Sequence, residues 1–260
     1  MNLTYSSYLK LPALLDLQEP KSDPPEHDEM LFIVIHQVYE LWFKLVLHEF
    51  GKLQTDLSQG DLWGGMHTLK RVRMVLKTLV QQLDVLETMT PRSFASFRDR
   101  LESSSGFQSV QFRELEFLMG YKRPQMIEFH RHDGVAVVRL EARLKAPTIM
   151  DAFYRFLAAR GARVPESLLQ RDVTQPIVEN EALQDELVRL YNAQPDTAGL
   201  LELLTDIDEG FQEWRYRHVK MVERTIGNKH GTGGSLGAEF LKRTLFIPLF
   251  PDLWAIRHRF

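Results

Sequence analysis

The sequence predicts a single all-α domain, and three observations carry that expectation. Apolar residues recur every three or four positions over two long stretches, from His27 to about Leu57 and from Thr197 to Ile226, which is the helical period. No segment shows the period-two alternation of a half-buried strand. Neither a fixed-period repeat nor a low-complexity linker divides the 260 residues, of which 44% are hydrophobic, enough for a substantial core.

Taken in order, the first long helix is marked by Leu31, Val34, Ile35, Val38, Leu41, Trp42, Leu45, Val46, Phe50 and Leu53. Asp61 can cap a second, in which Leu62, Met66, Leu69, Val72, Leu76, Leu79, Leu83 and Leu86 form one stripe. Lys70, Arg71, Arg73 and Lys77 read as its solvated face. Thr90 before Pro91 pairs an N-cap with a proline at the first helical position, starting a short helix through Phe94, Phe97, Arg98 and Leu101 that Ser103 to Gly106 breaks. Phe107 to Gly120 is again helical and ends at a glycine suited to a left-handed cap. Pro124 to about His130 opens another turn or helix, and His130 to Gly134 reads as a polar loop. Helical patterns around Val135 to Lys145 and Pro147 to Ala159 alternate with Pro and Gly stops, and Arg160 to Pro176 is irregular, so inserted or peripheral structure is expected there. After the second long helix comes the Gly-rich stretch Gly227 to Ser235, then a last helix from Leu236 to about Phe246.

Composition excludes several functions. With 32 Lys+Arg against 35 Asp+Glu the formal net charge is −3, so no global positive field attracts nucleic acid. The absence of cysteine removes disulfides, thiolate zinc sites, iron–sulfur clusters and covalent haem attachment, and it suits a reducing cytoplasm. The start MNLTYSSYLK has no signal or transit character, and the most apolar run, Met30 to Tyr39, is about half the ~20 residues needed to span a bilayer. H-E-x-x-H, G-x-S-x-G and Walker A patterns are missing, and G-x-G-x-x-G is incomplete because Leu236 stands at its third glycine.

Among the residues that remain, His218 interrupts a stripe of Ile207, Phe211, Trp214, Met221 or Val222, and Thr225 where an aliphatic side chain is expected. His36 does the same in the first helix, between Phe32 and Glu40. Each can be a hydrogen-bonded core histidine, or the pair can flank a haem, one as iron ligand and one facing the bound gas or substrate. Arg98 follows Phe94 by one turn, which suits a flat substrate carrying a carboxylate, although a surface arginine beside a core phenylalanine is the commoner arrangement. Gly231 to Ser235, with the Thr232 hydroxyl, can approach a ligand closely. His130, Arg131, His132 and Asp133 have the residue types of a mononuclear metal site but read more simply as a solvated loop.

At these same residues the chain resembles the tryptophan 2,3-dioxygenase family. The carrying segments are Tyr5-Ser6-Ser7-Tyr8-Leu9, HDEMLFIVIHQVYELWFKL from His27, LETMTPRSFASFR ending at Arg98, SSGFQS from Ser104, and WRYRHVKMVERTIGNKHGTGGSLG from Trp214. The resemblance implies a helix bundle of the indoleamine/tryptophan dioxygenase type, assembled as a homotetramer with one haem b per subunit, ferrous when active. It implies L-tryptophan and O2 as substrates, with insertion of both oxygen atoms across the indole C2–C3 bond to give N-formyl-L-kynurenine. His218 is then the proximal iron ligand, His36 the distal group bonded to the indole N–H, and Arg98 the partner of the substrate carboxylate. Thr232 contacts the ammonium end from a mobile loop spanning 227–235, Phe32 packs on the indole, and Ser105 lies near haem and bound ligand. Tyr5 and Tyr8 belong to an arm, residues 1–25, that completes a neighbouring subunit's pocket. Phe94 departs from some bacterial relatives, whose tyrosine at that position helps hold the carboxylate. A single domain over 1–260 follows, with 145–176 peripheral, no nucleic acid or membrane partner, and a cytoplasmic location. A haem enzyme for another indole, and a haem-binding helical scaffold without turnover, remain the competing readings.

Overall fold

The computed structural model describes residues 2–227, 229, 231 and 237–260, and every regular element among them is helical. A small arm carries α1 (Tyr5–Leu9) and α2 (Leu11–Leu14). The long helices α3 (His27–Ser58) and α4 (Leu62–Leu86) follow, joined by a three-residue turn in which the Asp61 side chain accepts from the Gly64 N–H at 2.9 Å. Next come α5 (Pro91–Phe97), capped by Thr90 and continued by a 3₁₀ turn, Arg98–Leu101, and α6 (Val110–Leu118). The middle of the chain supplies α7 (Gly134–Lys145), α8 (Ile149–Ala159) and α9 (Glu166–Leu169). The last part holds α10 (Glu181–Ala193), α11 (Pro195–Ile226), α12 (Ala238–Lys242) and α13 (Pro251–Ala255).

The architecture turns on α4, which packs along both α3 and α11. The short connection makes α4 antiparallel to α3. Contacts between α4 and α11 advance together, Met66 against Gly199, Leu76 against Gly210 and Asp84 against Arg217, so α11 runs parallel to α4 and antiparallel to α3. Close approach depends on two glycines: a β-carbon at Gly199 would stand 3.0 Å from Met66 Cε, and one at Gly210 would stand 3.1 Å from Leu76 Cδ1. The core lies where Val46, Phe50 and Leu53 of α3 meet Leu69 and Leu76 of α4, with Leu200 and Ile207 of α11 part of the same cluster. By length and composition α3 could cross a bilayer, a property the Met30 to Tyr39 run alone had not suggested, and here its Val46 and Leu53 are fully enclosed by protein.

Several elements differ from expectation. The helix expected from Phe107 begins only at Val110, because Ser105 caps a separate 3₁₀ turn over Gly106–Gln108 and Ser109 then caps α6. Segment 145–176, expected to be peripheral, contains α8, whose Phe153, Tyr154 and Leu157 are buried against α3 in the main core. His130, read as part of a solvated loop, is buried at the end of a 3₁₀ helix, while Arg131, His132 and Asp133 are exposed and Asp133 caps α7. The sequence left α10 and α13 unassigned. Leu183, Leu187 and Leu190 bury one face of α10. The C-terminal segment is fixed by buried Asp208, whose Oδ2 accepts from the Leu249 and Phe250 N–H groups at 2.8 Å and from Trp254 Nε1 at 2.9 Å. The last expected helix, Leu236 to Phe246, is shorter: α12 ends at Lys242, and Phe246 has φ 60°.

Candidate active site

A cavity of about 240 Å³ opens between the N-terminal half of α3 and the C-terminal half of α11. Phe32, His36, Tyr39, Glu40 and Phe43 line it from α3, at the spacing of one helical face. Trp214, His218, Met221, Val222 and Thr225 line it from α11, which is the stripe His218 interrupts. Phe94 and Arg98 close it from α5 and the following turn, and Ser105 and Gly106 from the next loop. Six of the nine residues singled out in the sequence therefore meet in one cavity: Phe32, His36, Phe94, Arg98, Ser105 and His218.

The imidazole of His36 is set by its own helix. Its Nδ1 lies 2.7 Å from the Phe32 carbonyl oxygen, which can only accept, so Nδ1 carries the proton and Nε2 is an acceptor in the neutral ring. Burial lowers its pKa, opposed by the Phe32 hydrogen bond and the Glu40 carboxylate. The Phe32 ring sits 4.1 Å from the imidazole and 5.7 Å from both Phe94 and Phe97, forming an apolar aromatic wall. Gly106 faces the ring from the loop, and a β-carbon there would stand 3.9 Å from His36 Nε2.

Burial pushes His218 down to about 4, helped by the positive influence of His36 and Arg113, so its ring is neutral at pH 7. Trp214, one turn earlier, stacks on it with centroids 4.9 Å apart and planes 15° apart, and Trp214 itself is packed by Phe112, Tyr39 and Phe43.

One wall has a polar group that sequence reasoning missed. Glu116 of α6 is buried and receives Arg113, Arg123 (2.8 Å) and Arg215 (3.4 Å). All four residues line the cavity. The available signal was Arg113, Glu114 and Glu116 inside a helix whose other positions are apolar but for Gln111, and Arg215 three residues before His218.

Tyr5 and Tyr8 do not meet the other residues: they are 76% and 69% exposed on α1 and line no part of this chain's cavity. Thr232 lies outside the described residues, as does most of the loop expected to be mobile. Gly231, within that stretch, and Gly237, just after it, line the cavity. Gly237 has φ 59°, and a β-carbon there would stand 2.6 Å from the Lys229 carbonyl oxygen, so the close approach of 229 to 237 requires glycine. Among the described residues no cluster of three or more His, Cys, Asp or Glu side chains could hold a bare metal ion, which removes the His130 to Asp133 metal reading.

The chain matches the family model described as tryptophan 2,3-dioxygenase over residues 1–143 and 176–259, so α8 and α9 lie in the unmatched stretch. Among curated relatives named tryptophan 2,3-dioxygenase, that of Herpetosiphon aurantiacus is 54% identical over 255 residues, covering 98% of this chain and 97% of the relative. That of Anaeromyxobacter dehalogenans is 52% identical over 98% of this chain and 95% of its own length. That of Xanthomonas campestris is 42% identical over 98% and 87%. Identity at this level across nearly the whole length of both partners takes in every element that builds the cavity, and the chain belongs to the tryptophan 2,3-dioxygenase family.

Proposed function

We propose that this chain is a haem-dependent dioxygenase that converts L-tryptophan and O2 to N-formyl-L-kynurenine, the first step of tryptophan degradation by the kynurenine pathway. The observation that carries the reading is the convergence of two neutral histidines from two long helices on one aromatic-walled cavity that Arg98 also lines. The residues fit a haem. A neutral imidazole at His218, facing a cavity walled by flat aromatic rings, is the donor a haem iron takes, and nearby guanidiniums complement carboxylates. Ferrous haem, when bound, supplies the activation of O2 that a closed-shell indole needs.

The remaining work falls to the chain's own side chains. His218 would hold the iron. His36 Nε2, left as an acceptor by the Nδ1 bond to Phe32, takes the indole N–H and orients the ring. Because an indole N–H is a very weak acid, orientation is the larger contribution and obligatory proton abstraction is not required. Phe32 packs on the indole, and Ser105 faces the bound ligand from the loop. Arg98 pairs with the substrate carboxylate without the hydroxyl that a tyrosine at 94 would add. Thr232 receives the ammonium end. Tyr5 and Tyr8, exposed on an arm that packs little on its own subunit, complete a neighbour's cavity in a homotetramer.

The test is an absorption spectrum of the reduced, haem-loaded protein under anaerobic conditions, followed by L-tryptophan and then air. A Soret band that shifts with L-tryptophan, and formation of N-formylkynurenine on admitting air, are expected. A Soret band with no product retires the tryptophan reading in favour of another substrate, and failure to take up haem retires the assignment of His218.

A further inference from the structure

The wall built by Arg113, Glu116, Arg123 and Arg215 has a charge imbalance that its own residues leave uncorrected. Arg113 is 5% exposed, Arg215 3% and Glu116 1%, and three guanidiniums share a single carboxylate. Two positive charges are therefore left over in a buried place, where a charge without a partner is strongly disfavoured. Each arginine is held in place. Arg113 lies over the rings of Phe107 and Phe112, at 5.1 and 5.2 Å, and Arg123 and Arg215 lie over Tyr121, at 4.3 and 5.2 Å. Arg215 also donates to the Ile247 carbonyl at 3.2 Å. Yet the Nε–H of all three arginines is buried without an acceptor. The excess charge is felt outside the cluster: Arg113 disfavours protonation of both His130 and His218.

We propose that Arg113, Arg123 and Arg215, gathered by Glu116, form a receptor for the two carboxylate groups of a porphyrin, so that a dianionic edge completes the charge balance of this wall. The inference rests on the reading of the cavity as a haem site and deepens it, since it names which groups of this chain recognise the ligand's periphery as opposed to its iron. Arg215 lies three residues before His218 on α11, so one helix carries a metal donor and part of the anion receptor to the same cavity. Glu116 keeps the three cations from driving one another apart before the ligand arrives.

Iron-free protoporphyrin IX and its dimethyl ester separate this claim from iron ligation, because neither can bond His218 through a metal and they differ in the two carboxylates. Titrated into the full-length apoprotein and followed by porphyrin fluorescence, the diacid is expected to bind ~30-fold or more tightly than the diester, the equivalent of breaking one buried charge pair. Arg123→Met, at the least enclosed of the three arginines, is expected to cut that preference about tenfold while leaving the diester within about threefold of the unaltered chain. Should the variant fail to fold, the preference in the unaltered chain still decides. Equal binding of diacid and diester, or a preference that Arg123→Met leaves intact, overturns the receptor. A chain that prefers the diacid but gains no Soret shift with L-tryptophan keeps the receptor and loses the dioxygenase reading; a working dioxygenase with no diacid preference does the reverse.

Discussion

Gly106→Ala probes the space in front of His36 with little risk to the fold. Gly106 is not among the positive-φ residues, and its added methyl would stand 3.9 Å from His36 Nε2 and 4.0 Å from Cδ2, ordinary contact distances. Stability is therefore expected to change by no more than ~0.5 kcal/mol. The methyl nevertheless occupies the approach to the one acceptor His36 offers. Displacing a donor from a buried acceptor costs about 1–3 kcal/mol, so kcat/KM for L-tryptophan should fall between about fivefold and about 150-fold at unchanged haem content. The assay is steady-state product formation beside a thermal melt, repeated with the tryptophan analogue that has oxygen in place of the indole nitrogen. That analogue cannot donate, so the discrimination between the two substrates should shrink toward unity in the variant. An unchanged Tm with kcat/KM within twofold of the parent would refute the assignment of this space to the indole N–H.

Other outcomes follow from the same geometry. The apoprotein should lose stability in acid: His218 is pushed down to about 4 from 6.5, so below pH 6.5 the unfolded chain binds more protons, stability falls as pH drops, and about 3 kcal/mol is gone by pH 4. Urea denaturation at stepped pH measures this, and His218→Leu should flatten the curve. Arg98→Ala should raise KM ~30-fold or more by leaving a carboxylate unpaired, and a KM within threefold would contradict the pairing. Phe94→Tyr should lower KM about two- to tenfold by returning a hydroxyl to the carboxylate. Gly237→Ala, at φ 59° and 2.6 Å from a backbone oxygen, should cost ~1–3 kcal/mol in Tm measurements and raise KM, and an unaltered melt would show that 229 and 237 need not meet.

What could be read from the sequence, and what could not, divides along physical lines. The long helices were legible because burial on one side writes a 3.6-residue period, and the Asp61 and Thr90 caps marked their neighbours' starts. Both histidines stood out as polar interruptions of that period. The arginine wall did not, because its members come from α6, from the loop before Pro124 and from α11, and charged residues in separate segments read as solvated until the fold brings them to one carboxylate. For the same reason the basic side of α4 was only partly solvated: Arg71 pairs with Glu49 at 2.9 Å and Arg73 with Asp206 at 3.3 Å. His130 was misread because a short polar run carries no period that could reveal one buried member. Asp208 explains the C-terminal segment through contacts more than forty residues away, a range that local pattern does not report.

The length of α3 and α11 is what lets one domain hold both a packed core and a cavity. Each has 32 residues, which at 1.5 Å per residue is roughly 48 Å. A cavity deprives its lining of packing partners, so a helix devoted to it along its whole length would be weakly held. Here the two halves differ: Val46 to Leu57 of α3 and Leu200 to Ile207 of α11 are locked in the core through α4, while Phe32 to Phe43 and Trp214 to Ile226 face the cavity. The antiparallel relation of α3 to α11 brings the open halves to the same end of the bundle. His36 and His218 are thereby carried on the extensions of rigid elements, so their separation is set by core packing some turns away and not by the loops around the ligand. Loop positions such as Ser105, Gly106 and Gly237 can then vary in how they meet a ligand without moving the two imidazoles, which is the division of labour a site needs if it is to hold one group fixed while exchanging another.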